Sequence, residues 1–321
     1  MDLSIIIVNW NTCNILHDCL TSIRNSRGGI EIEVFVVDND SSDGSREMVQ
    51  KDFPEVHLIN SGGNIGFGRA NNLAIPLATA PYILFLNPDT IVNHKALDKM
   101  CAFLNNNPRT GVISCKIMDQ TGCVAELPLQ MEKTPFKRFL LQIFDARESA
   151  NIIKRIFPSQ SPHKSGYVRN FYGPCLLIRK EVLDEVGYFD EQFFMYAEDI
   201  DLCERIHKKG WQLYYMSEVD IIHLGEQSSD HAPKDFSMLM MCESISKLMS
   251  KNYGARGASI YKLGVFVSSV LRLIILLFLV GIDYVTGRKK KVKYKQSWHK
   301  HMIMLKWSLM LRMFKEIESH G

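Results

Sequence analysis

Two stretches of this chain concentrate groups able to move protons or hold cations. In FFMYAEDIDLCERI, residues 193–206, an aromatic run leads straight into Glu198, Asp199, Asp201 and Glu204. On a helix starting near Asp199, Asp201 lies four residues before Arg205 and Glu204 four before Lys208, both in the favourable acid-first order. Asp201 and Glu204 therefore read as a solvated helix face. Residues 202 and 203 offer no base to Glu198 or Asp199, which stand at the helix start. An N-cap and a general base are both open readings for them. In LFLNPDT, residues 84–90, Pro88 ends the strand pattern and leaves Asp89 just beyond it. A carboxylate there suits a hard divalent cation, and a plain turn aspartate is the alternative.

The elements that must carry these residues alternate. Apolar, β-branched runs at 3–10, 32–38, 56–60, 82–87 and 111–117 are separated by helical patterns at 14–25, 44–52, 67–78 and 94–106. The runs at 32–38 and 82–87 are nearly continuous in apolar residues, as strands buried on both faces require. The alternation predicts an α/β fold with a mainly parallel sheet, whose ligands bind beyond the carboxyl ends of the strands. Two further loops fall at such ends. VVDNDSSDGS places Asp38 at a strand tip, followed by Asp40 and Asp43. It fails as a calcium loop, because Gly44 comes one place late and position twelve is Val49. NSGGNIGFGRANN, residues 60–72, has Gly66 and Gly68, but Asn71 stands where a dinucleotide fingerprint needs glycine. That argues against a hydride-transfer cofactor and leaves a nucleoside diphosphate, which a glycine loop and helix N-terminus can approach closely.

Composition narrows the class. The formal net charge of +3 gives no case for a nucleic-acid partner, and the basic residues gather at the C-terminus in RKKKVKYK, residues 288–295, with Lys300, Lys306, Arg312 and Lys315 beyond. None of the eight cysteines forms a C-x-x-C pair or has zinc-ligand spacing. The start MDLSIIIVNWN has no basic region and too short an apolar run for a signal peptide. These features predict a cytoplasmic, reducing setting for the main domain.

The ordered set SIIIVNWN, VVDNDSSDGS, NIGFGRANN, LFLNPDT, GPCLLIRKEVLDEVGYFDEQFFMYAEDIDLCERIHKKGW and IIHLGEQS resembles the inverting family 2 glycosyltransferases, in their rhamnosyltransferase-like branch, over roughly residues 1–252. The resemblance implies the GT-A fold, a Rossmann-like, mainly parallel sheet flanked by helices. It implies that Asn9, Asn11 and Asp38 hold the nucleobase and ribose, and that Asn64, Gly66 and Asn71 line the donor. Asp89 matches the metal-binding aspartate of the family's Asp-x-Asp motif, which is reduced here to Asn87-Pro88-Asp89. Asn87 would touch the metal or the sugar, and His223 would complete the metal or diphosphate site with Mg2+ or Mn2+. Asp199 takes the general-base role, Glu198 orients it or the acceptor, and Phe193, Phe194 and Tyr196 shape the acceptor side. The implied donor is a nucleotide-diphosphate sugar, dTDP-rhamnose first and galactofuranose or another hexose next. The implied acceptor is a glycan or lipid-linked. A reading of another class is a non-catalytic nucleotide-sugar-binding scaffold at the membrane.

The expected organisation is a transferase domain over 1–252 and a helical, basic region over 253–321. Within the domain, 1–125 is the nucleotide-sugar half, 128–168 an insertion or mobile loop, and 169–252 the acceptor and base half. Residues 263–285, LGVFVSSVLRLIILLFLVGIDYV, approach the length of a bilayer span but are interrupted by Arg272 and Asp283. Basic residues flank the run on both sides, so the expectation is an interfacial or re-entrant helix on anionic lipid at the cytoplasmic face. A single span and a buried core helix are the alternatives.

Overall fold

The first strand explains the layering. β1 (Leu3–Asn9) is buried at every residue; Leu3, Ile5 and Ile7 enter one apolar layer, and Ile6 and Val8 the other. β2 (Ile32–Asp38) does the same with Val34 and Val36 against Phe35 and Val37. Alternate side chains of a strand point to opposite faces, so unbroken apolar runs demand cover on both sides. The computed structural model describes residues 1–26, 28–126, 164–171, 173–225, 235–286 and 291–309.

Among these residues the remaining strands are β3 (His57–Asn60), β4 (Tyr82–Leu86), β5 (Thr90–Val92), β6 (Thr110–Met118), β7 (Val124–Glu126), β8 (Gly166–Val168), β9 (Cys175–Arg179) and β10 (Gln212–His223). The main path of the sheet is β3-β2-β1-β4-β9-β6-β10-β5, with β7 on β6 and β8 on β10. β3, β2, β1 and β4 are mutually parallel, as are β6 and β10. β9 runs antiparallel between β4 and β6 and joins the two parallel blocks. The helices are α1 (Cys13–Ser26), α2 (Ser45–Asp52), α3 (Phe67–Ala74), α4 (Ala96–Asn106), α5 (Lys180–Val186), α6 (Glu198–Lys208), α7 (Phe236–Thr286) and α8 (Lys291–Leu309). Pro76 turns the end of the pattern at 67–78 into a short 3-10 segment, Ile75–Leu77. All eight cysteines are free thiols.

The α/β sheet expected from the alternation is present, with antiparallel additions at β5, β7, β8 and β9. The insertion expected over 128–168 lies outside the described residues up to 163. Its last part is sheet rather than loop, since Gly166–Val168 pair with β10. Of the basic tail, Arg288, Lys289, Lys290, Arg312 and Lys315 also lie outside the described residues. By contacts, the described residues up to 126 and from 164 to 225 form one compact unit, and those from 235 onward belong to another.

The second unit is helical. α7 runs through the expected boundary at 252–253 and changes direction next to it, at Gly254 (φ 66°, ψ −170°). That conformation belongs to glycine. α8 returns along α7: Trp307 is buried edge-on to Tyr261 and donates from Nε1 to Glu243, while His299 meets Asp235 at 2.6 Å. Beyond Val270 the apolar residues of α7 are mostly uncovered. Leu271, Ile274, Ile275, Leu277, Phe278 and Val280 are exposed, so the buried core helix is not what forms. Among the described residues this is the one helix long and apolar enough to cross a membrane, by length and composition.

Candidate active site

The carboxyl ends of β1 and β2 build the first part of the site. Register sets Asn9 opposite Asp38 and Asp38 opposite Asn60. Asp38 is 1% exposed; its Oδ2 accepts from Asn9 Nδ2 (3.2 Å), its Oδ1 accepts from the Ser41 amide (2.9 Å), and the Arg46 guanidinium stands 3.5 Å away. Asn9 is fully buried. Its Nδ2 also donates to Ser41 Oγ, and its Oδ1 accepts from Thr12 Oγ1 (2.6 Å). Its polar atoms are thus spent on neighbours, which makes it a strut under Asp38 rather than a surface for a base. Asn11, with φ 52°, is half-exposed, and its Oδ1 accepts from the Ser42 amide. Asn39, which the sequence reading passed over, donates to Asn64 Oδ1 (2.8 Å) and accepts from the Ile65 amide (3.0 Å). It ties the glycine loop to the tip of β2. An amide between two acids in VVDND was its only signal.

The glycine loop is packed against the loop before α6. Gly66 has φ 88°, and a Cβ there would lie 2.4 Å from the Phe194 carbonyl oxygen. That same oxygen accepts from the Phe67 amide at 2.8 Å. Gly66 is therefore required by a close backbone approach within the protein, independently of any phosphate. α3 fastens the loop further: Asn72 Nδ2 donates to the Phe189 carbonyl, Asn72 Oδ1 accepts from the Phe189 amide, and Arg69 donates to the Glu191 carbonyl. Phe189 is buried edge-on against Phe85 and Phe67. Phe193 is also fully buried, so of the three aromatics assigned to the acceptor side only Phe194 and Tyr196 are partly open.

α6 then begins with strain. Tyr196 (φ 68°) and Ala197 (φ 65°) are consecutive left-handed non-glycine residues immediately before Glu198. Such positions cost on the order of 1 kcal/mol each and persist where surrounding contacts over-determine them. Asp199 Oδ2 accepts from the Gly173 amide (3.1 Å), and Oδ1 from the Ile200 amide (2.7 Å). Glu198 is 6% exposed with Oε2 buried and unbonded. Burial pushes its carboxyl well above the usual carboxylate range, and the charge of Asp199 adds to the rise.

Asp201 corrects the expectation of a solvated face. It is 2% exposed and pairs with Arg205 at 2.8 Å. Arg205 also donates to the carbonyls of Val186, Gly187 and Tyr188. The guanidinium thus satisfies the end of α5 and fixes α6 beside it, a task its planar fork of donors suits. Arg205→Met is expected to cost about 3 kcal/mol, because it takes the guanidinium from a buried acid and from three carbonyls at the end of α5. Urea denaturation measures this; a change under about 0.5 kcal/mol, the surface-substitution range, refutes the clamp.

The last part is the turn after β4. Asn87 donates its amide to the Pro174 carbonyl (2.9 Å), and its own carbonyl accepts from Thr90 Oγ1. β5 pairs antiparallel with the end of β10, so His223 stands opposite Thr90. Asp89 Oδ1 and His223 Nε2 are consequently 3.2 Å apart, 5% and 10% exposed at their side chains. Two donors at that separation can bind one hard cation. Among the described residues no group of three or more His, Cys, Asp or Glu is placed to hold a metal. Mg2+ commonly keeps several waters and needs only one or two protein carboxylates, so a pair of this kind is compatible with it. Asp89 and Asp199 are linked through the protein: Asn87 bonds Pro174, and the adjoining Gly173 bonds Asp199.

The comparisons agree with this architecture. The sequence profile described as "Glycosyl transferase family 2" matches residues 4–187. An N-acetylglucosaminyl-diphospho-decaprenol L-rhamnosyltransferase of Mycobacterium tuberculosis is 30% identical over 218 residues, 63% of this chain and 69% of that protein. Rhamnosyltransferase WbbL of Escherichia coli is 31% identical over 170 residues, covering 51% of this chain and 62% of WbbL. Among solved structures, mannosyltransferase PcManGT from Pyrobaculum calidifontis, in complex with GDP-Man and Mn2+, superposes with a TM-score of 0.59 at 15% identity, covering 98% of this chain and 87% of that one. S. aureus TarS superposes with a TM-score of 0.53 at 17% identity, covering 83% of this chain and 43% of TarS. The fold is GT-A, and the chain belongs to glycosyl transferase family 2.

Proposed function

We propose that this transferase moves a sugar, rhamnose first among the candidates, from a nucleotide-diphosphate donor to a hydroxyl of a glycan or lipid-linked acceptor, inverting the anomeric carbon. The link Asn87–Pro174–Gly173–Asp199 carries the reading. It fixes a group that can help neutralise a leaving diphosphate relative to one that can accept a proton. In this assignment Asp38, braced by Asn9 and beside Asn11, receives the nucleoside, and Asn64, Gly66 and Asn71 shape or support the donor loop. Asn87 stands at the sugar end, while Asp89 and His223 hold Mg2+ or Mn2+. The ion, when bound, offsets charge on the leaving diphosphate. Asp199 takes the proton of the acceptor hydroxyl as its oxygen bonds to the anomeric carbon. The bond from that carbon to the diphosphate oxygen breaks on the opposite face, and its electron pair leaves with the nucleotide.

The rhamnosyltransferases among the relatives favour dTDP-rhamnose as donor, and the Mn2+ complex of the mannosyltransferase favours a divalent ion. The exposed apolar stretch of α7 and the basic character of α8 favour an anionic membrane surface at the cytoplasmic face, where a lipid-linked acceptor is presented. The full chain should be screened for nucleotide-sugar binding with Mg2+ or Mn2+, then assayed for transfer to lipid-linked acceptors. Rhamnose transfer from dTDP-rhamnose is expected. Turnover with another hexose donor alone would correct the donor; tight donor binding without any transfer would favour the scaffold.

A further inference from the structure

We propose that Glu198 is a neutral carboxylic acid in the folded protein and donates its proton to the side-chain oxygen of Asn71, locking the helix that bears Asp199 onto the helix of the glycine loop. Glu198 and Asn71 are 6% and 0% exposed, and each has a buried oxygen, Oε2 and Oδ1, with no hydrogen-bond partner. Asn71 Nδ2 donates to the Phe67 carbonyl (2.9 Å), which folds its side chain back over the first turn of α3. Glu198 approaches that same turn: a Cβ built on Gly68 would lie 3.8 Å from the Glu198 Cβ. Gly68 and Asn71 are three apart on α3 and so share a face. Both oxygens are buried in the seam between α3 and the start of α6, where the proposed hydrogen bond joins them. An unsatisfied buried polar group is destabilising, and a single proton between two acceptors removes both penalties at once. Reversing the Asn71 amide instead would set its oxygen against the Phe67 carbonyl. Burial and the neighbouring Asp199 charge also favour the protonated form of Glu198.

Glu198 is thus a positioning residue. Its consequence for catalysis rests on the reading of Asp199 as base; the hydrogen bond itself does not. The primary test is infrared difference spectroscopy of the intact protein at neutral pH against Glu198→Gln. A carboxylic-acid carbonyl band present in the native chain and absent from the variant is expected, and its absence from the native chain overturns the proposal. The second test is kinetic. Glu198→Gln can still donate an N–H to Asn71 Oδ1 and should lose much less kcat than Glu198→Ala, which should lose about 10²-fold in kcat with donor KM held, the cost of a misplaced base. Equal loss in both variants overturns the proposal. Should Glu198→Ala fail to fold, the infrared comparison still decides. Asp199→Asn leaves the band in place whatever it does to turnover, so the two assignments fail separately.

Discussion

Asp199→Asn is expected to lower kcat by about 10²–10⁴-fold while donor affinity stays nearly unchanged. The two side chains have the same shape, but Asn keeps one oxygen and can accept only one of the two bonds from Gly173 and Ile200, a local loss at the start of α6. What disappears is the ability to take the acceptor's proton during attack. In the proposed assignment donor binding depends on the turn after β4, the tip of β2 and the glycine loop, none of which contains Asp199. Release of nucleoside diphosphate gives kcat, and calorimetry gives the donor Kd. Turnover within a few-fold of the native chain would move the base elsewhere.

Asp89→Ala should fail differently. Its carboxylate faces His223 Nε2 at 3.2 Å at the candidate cation position. Losing several kcal/mol of charge stabilisation on the leaving diphosphate corresponds to about 10³-fold in rate. Unlike Asp199→Asn, this variant should also bind donor more weakly and should lose the response of turnover to added Mg2+ or Mn2+. A titration of rate against each ion, in both chains, separates the two. Native-like metal stimulation in Asp89→Ala would remove Asp89 from the ion.

Much of this site was legible because strand-end chemistry is written locally. Asp38, Asn64 and Asp89 each follow an apolar run or lie in the next loop, and the rule that ligands sit beyond strand ends points to them as candidates. Helices α1, α2 and α4 also fell within a residue or two of their patterns. The failures involve partners distant in the chain. Gly66 looked like a phosphate-loop glycine, yet its neighbour is Phe194, more than a hundred residues on. Asp201 looked solvated because a helix pattern cannot reveal that Arg205 is turned inward onto the end of α5. Asn9 looked like a ligand contact because its saturation by Asp38, Ser41 and Thr12 requires the folded loop. β5, β8 and β9 are too short or too far from their pairing partners for periodicity to assign.

The position of β9 has a consequence for synthesis on the ribosome. β4 and β6 emerge early, but they do not pair; each pairs with β9, which is completed only at residue 179. Until then the nascent chain holds the parallel β3-β2-β1-β4 block with the far side of β4 unpaired, and β6 has no place beside it. An open, apolar edge of this kind invites wrong pairing. A fragment ending at residue 125 would therefore lack the strand that closes its own sheet, and the proposed donor and base sides would be completed together.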